Sequence, residues 1–113
     1  EMVNDAEIKG LMSIIHWITL GTILESECFK PFPGKMRDYL VTYLSQSWSG
    51  EGITISYQEG NGILLKVYLM VRKGSENLIH QAEELQRKIH EEISLLPGCL
   101  SNKVHIIVKG VAE

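Results

Sequence analysis

The chain has no block of positive charge. Its 11 Lys/Arg stand against 14 Asp/Glu, a net charge of −3. Residues 1–56 carry four Lys/Arg against seven Asp/Glu, and residues 57–113 carry seven of each. Phosphate contacts supply most non-specific affinity for nucleic acid, so this even spread does not favour RNA or DNA as a partner. Cysteine is scarce as well. Cys28 and Cys99 are the only two, too few for a disulfide framework, and they read as reduced, buried thiols of a cytoplasmic protein. Glu25 and Glu27 lie just before Cys28, and nearby carboxylates suppress its reactive thiolate. No apolar run reaches the roughly 20 residues that span a bilayer, so no transmembrane segment is expected. The longest run, residues 11–24, follows Asp5 and Glu7 rather than a positive segment, so it does not read as a signal peptide.

Signatures of catalysis and metal binding are missing from the sequence too. His16, His80, His90 and His105 are scattered. His80 and His90 share one expected helix but sit nearly three turns apart, too far to meet on one metal ion. No Ser-His-Asp order, Walker loop, G-x-G-x-x-G or paired-carboxylate setting occurs. The expectation is therefore a protein that is not an enzyme, with no catalytic residue, no cofactor and no metal.

What the chain does contain is periodicity. A composition 44% hydrophobic and 22% charged is that of one globular domain over residues 1–113. Ile63, Leu65, Val67, Leu69 and Val71 alternate with Leu64, Lys66, Tyr68, Met70 and Arg72, which predicts a strand with one fully and one partly covered face. Leu78, Ala82, Leu85, Ile89, Ile93 and Leu96 recur at helical spacing, and Ser75 is placed to cap that helix. Val104, Ile106 and Val108 mark a closing strand. Strand, helix and strand make a βαβ unit whose two strands should run parallel. Leu78, Leu85, Ile89, Val67 and Ile106 are the expected core between that helix and the sheet. Upstream, Ile53, Ile55 and Tyr57 alternate as a strand, and the glycine-rich residues 59–62 read as its hairpin turn. Met36, Leu40, Val41 and Leu44 suggest a short helix over residues 34–46. The expected class is α+β, with order α-α-β-β-α-β and a small three-stranded mixed sheet packed by helices.

The first helix is apolar on almost every side. Ile8, Leu11, Ile15, Ile18 and Thr22 share its core face, while Ile14, Trp17 and Leu24 point elsewhere. Such a helix is either deeply buried or meets a partner. Both readings stand: simple core burial, or self-association through Trp17, Ile14, Leu24 and Phe29, since Trp and Phe are enriched in interface cores.

Residues 34–111 resemble the alkaline shock protein family, the general-stress or cell-envelope proteins of Gram-positive bacteria. The likeness lies in the hydrophobic strand from Leu65 to Gly74 and in the helix around Ala82, Leu85 and Gln86. It continues through Leu96, Pro97 and Gly98 into the strand from Val104 to Val111, with its terminal Gly110 and Val111. The N-terminus lacks the short glycine-containing strand with which that family opens. The resemblance implies a non-enzymatic, self-associating scaffold or stress-response protein, cytoplasmic and held at the membrane face through a membrane-anchored partner. It transfers no catalytic residue. The alternative is a KH-like RNA-binding or ribosome-assembly module, suggested by the expected element order. That class needs a basic G-x-x-G loop between helices, whereas residues 31–35 offer one glycine and one lysine.

Overall fold

The computed structural model describes residues 5–34, 37–41, 46–58 and 62–112. Its elements are α1 (Asp5–Leu24), β1 (Phe29–Pro31), β2 (Asp38–Val41), β3 (Gln46–Gly50), β4 (Ile53–Gln58), β5 (Gly62–Arg72), α2 (Leu78–Ser94) and β6 (Asn102–Ala112). The α+β class holds, but the three-stranded sheet of order α-α-β-β-α-β does not. The described residues form a six-stranded sheet with two helices.

The expected βαβ unit is present: β5 and β6 pair in parallel along their length, with α2 between them in sequence. The other pairings are antiparallel. β5 is the spine of the sheet. One of its edges carries β6, and the other carries β4 over its first half and β1 over residues 69–71. β3 and β2 extend the sheet beyond β4.

The correction falls on residues 34–46. Apolar positions 36, 40, 41 and 44 match a helix, but Tyr39 and Val41 equally match one face of a strand, and aromatic and β-branched residues favour the pleat. Pairing with β3 decides between the two, with Asp38 opposite Ser49 and Val41 opposite Gln46. Residues 35–36, 42–45 and the 59–61 portion of the expected hairpin turn lie outside the described residues. Prolines hid β1, yet Pro31 is tolerated because β1 is a short strand paired to β5 at the end of the sheet.

Glu51 (φ 53°) and Gly52 (φ 78°) form the two-residue loop between β3 and β4. Positive φ at both central positions is the type I′ requirement. Gly52 has no room for a side chain, because a Cβ would lie 2.8 Å from the Phe32 carbonyl oxygen and 2.9 Å from that of Tyr68.

Both helices lie on one side of the sheet. α1 contacts β1, β3 and β4, while α2 contacts β6 and α1. The buried row of β5, Ile63 to Val71, faces them as expected, together with Ile53, Ile55, Phe29 and Val104. Leu85, Ile89 and Ile93 are the buried stripe of α2. Leu78 departs from the expected core at 41% exposed. It is the first residue of α2, preceded by Asn77 in the left-handed region, and neither Ser75 nor Asn77 makes the side-chain cap. Ile106 is only partly buried. Asn102 stitches α2 to the start of β6. Its Nδ2 donates to Cys99 O (2.6 Å) and Ser94 Oγ (3.0 Å), and its Oδ1 lies 2.7 Å from His90 Nδ1. Cys28 and Cys99 are free and buried, and burial pushes the Cys99 thiol up.

Candidate functional site

The first helix resolves into two sides. Ile8, Met12, Ile15, His16, Thr19 and Ile23 are buried against the sheet. Ile14, Trp17 and Leu24 are 50%, 51% and 59% exposed. At 100° per residue, Ala6, Gly10, Ile14, Trp17, Gly21 and Leu24 fall on one narrow stripe with no charge in it. All six are exposed, and Gly10 and Gly21 have open space where a side chain would stand. From Gly10 the spacing is four, three, four, three, the seam spacing of paired helices. Phe29, the fourth residue expected at such a surface, is instead a core residue of β1 at 1% exposure. Its place in the sequence, directly after Cys28 at the end of a loop, gave no sign of which way its strand would turn.

Trp17 is contacted by a polar chain. The Arg37 guanidinium lies over its ring, 4.3 Å from the centroid. Arg37 Nη2 and Nε reach Glu51 Oε1 at 2.8 and 2.9 Å. The same oxygen accepts from His16 Nε2 at 2.9 Å. A carboxylate only accepts, so Nε2 carries the proton. His16 itself is buried between Trp17 (centroids 5.4 Å) and Trp48 (5.8 Å). Burial pushes the Glu51 carboxyl up, but the hydrogen bonds from His16 and Arg37 outweigh it and hold the group below the usual carboxylate range. Glu51 is thus placed by a backbone conformation that glutamate seldom adopts. His16 Nδ1, Thr19 Oγ1 and Trp48 Nε1 are buried with no partner among the described residues. Sequence reasoning missed this group. The one signal was a glutamate between two glycines, which marks a turn but not what its side chain reaches.

Among the described residues no three His, Cys, Asp or Glu side chains come together as a metal group would require. A groove of about 350 Å³ runs between α2 and β6, bordered by Gln86, His90, Lys103 and His105. No helix of the described residues is long and apolar enough to cross a membrane. The chain matches no family model, no curated protein and no solved structure.

Proposed function

We propose that the chain is a non-catalytic scaffold that self-associates through the exposed side of α1, with a second copy of the same helix as its occupant. One observation carries this reading: a charge-free, exposed stripe of Ala6, Gly10, Ile14, Trp17, Gly21 and Leu24 at seam spacing on a helix whose opposite side is buried. Contiguous exposed apolar surface is uncommon on a soluble monomer and tends to mark an interface. The small residues let a facing helix approach closely, and Trp17 is pre-oriented by Arg37, which lowers the cost of ordering it on association. The resemblance of residues 34–111 to the alkaline shock family points to the same kind of role, including attachment at the membrane face through a membrane-anchored partner.

Sedimentation over a concentration series tests the proposal. The expected result is a dimer at about 100 µM, the range in which an interface of micromolar Kd is filled. Trp17→Glu should give a monomer with unchanged circular dichroism, because Trp17 is outside the core. Leu24→Glu is the second variant should Trp17→Glu fail to fold. A strict monomer at about 100 µM, or a dimer untouched by a folded variant, overturns the reading.

A further inference from the structure

The side of the sheet turned away from the helices collects positive charge that the linear sequence disperses. Residues paired across strands share a face. Lys66 pairs with His105 and Thr54, Leu64 with Lys103, Tyr68 with Ile107, and Met70 with Lys30. Arg72 follows on the same face of β5. The β5–β6 register slips at Leu69 and Met70, which are opposite Val108 and Gly110, so Lys109 is an extra residue there. Its Nζ lies 5.9 Å from the Tyr68 ring centroid, on this same side. Lys30, Lys66, Arg72, Lys103 and Lys109 thus share one face with His105, and none makes an ion pair with a described residue.

The neighbouring strands add hydroxyls rather than carboxylates. Ser56 and Thr54 of β4 and Ser47 and Ser49 of β3 continue the face. Its one described carboxylate, Asp38, is on β2, three strands from β5 and so about 14 Å away. Glu83 borders the groove beside Lys103, and Glu27 and Glu76 border a cleft beside Arg72. These two cations are rim charges, and Lys66, Lys109 and Lys30 are the centre. The opposite layer is acidic: α2 carries Glu83, Glu84, Glu91 and Glu92, with Arg87 bound to Glu84 and Glu91. A net charge of −3 therefore conceals a molecule with an acidic helix layer and a basic sheet face.

We infer that this open sheet face binds single-stranded nucleic acid. Such binding combines cations that track the phosphates with an aromatic ring on which a base stacks. The face offers both, with Tyr68 at its centre, and the hydroxyls supply neutral donors for phosphate or base oxygens. A flat anionic membrane fits less well, because docking there uses protruding apolar side chains. Leu64, Tyr68, Met70 and Ile107 are all half-buried, and the exposed Leu40 is out on β2. The surface is distinct from the α1 stripe.

Fluorescence anisotropy with a labelled mixed-sequence RNA of about 15 nucleotides tests the inference on the full chain. Binding is expected at 50 mM salt. It should weaken by about 50-fold at 200 mM if four phosphates are contacted, from a slope of about −0.7 per contact on logarithmic axes. Lys66→Glu with Lys109→Glu should weaken binding at least tenfold, while Lys88→Glu on α2 leaves it within twofold. Tyr68→Leu should weaken it at least about fivefold through lost stacking, with the salt slope unchanged. No binding at 50 mM salt overturns the inference, as does binding indifferent to the Lys66/Lys109 pair in a protein of unchanged circular dichroism. Co-sedimentation with vesicles containing about 30% phosphatidylserine, in the absence of RNA binding, assigns the face to a membrane and equally overturns it.

Discussion

Glu51 joins three parts of the molecule through one carboxylate oxygen, which accepts from a buried histidine of α1 and from Arg37 while the backbone turns from β3 into β4. Its carboxyl is held below the usual range in the folded protein, so the fold favours the ionised form. The stabilisation this gives is therefore complete above the usual carboxylate pKa of 4.5 and is lost as pH falls through the lower folded value. Glu51→Gln should lower the denaturation midpoint at about pH 5.5, and the gap from the parent should close towards about pH 3. Urea denaturation at a series of pH values checks this, and a gap constant with pH would show that the charge contributes nothing. His16 is the structural partner in this arrangement. Its Nδ1 finds no partner among the described residues.

At the scale of elements, burial separates residues that periodicity groups together. Leu78, Leu85 and Ile89 share a helical stripe, yet Ile89 is fully buried and Leu78 is not. Ile89→Ala should cost about 2–5 kcal/mol, the range for deleting a fully packed aliphatic side chain, and Leu85→Ala a similar amount. Leu78→Ala should cost only a fraction of that. Chemical denaturation of the three variants measures the ordering, and equal losses would place the first turn of α2 in the core. The same lesson applies to residues 37–41. Apolar spacing there satisfies both a helix and a strand, and the outcome rests on an edge of β3 whose backbone groups need partners. That demand is non-local, and no window of sequence contains it.

The whole molecule separates two kinds of surface. The α1 stripe is apolar and uncharged, so its association should change little with ionic strength. The open sheet face is cationic, and its contacts should weaken steeply with salt. Repeating sedimentation and RNA anisotropy at 50 and 200 mM salt gives the comparison. Loss of the dimer at high salt would mean that charge, not the stripe, holds the copies together. Among the described residues two helices pack on one side of a six-stranded sheet. That arrangement leaves β5 with one buried face and one more open one, the second surface.

The alternation of β5, the stripe of α2 and the parallel return of β6 were legible in the sequence, because each rests on local periodicity and on the short list of ways to connect parallel strands. Angles around one helix placed Ile14, Trp17 and Leu24 off its core face in the same way, but left open whether that side is buried or exposed, and the structure exposes it. Tertiary structure alone decided the rest. Phe29 went to the core because β1 pairs with the end of β5. Glu51 met His16 across 35 positions of sequence because a hairpin tip was brought beneath α1. The cations at 30, 66, 72, 103 and 109 became one surface because strand pairing aligns side chains that are far apart along the chain. Charge counted along a sequence has no direction, and only a pleated sheet with a defined register gives it a side.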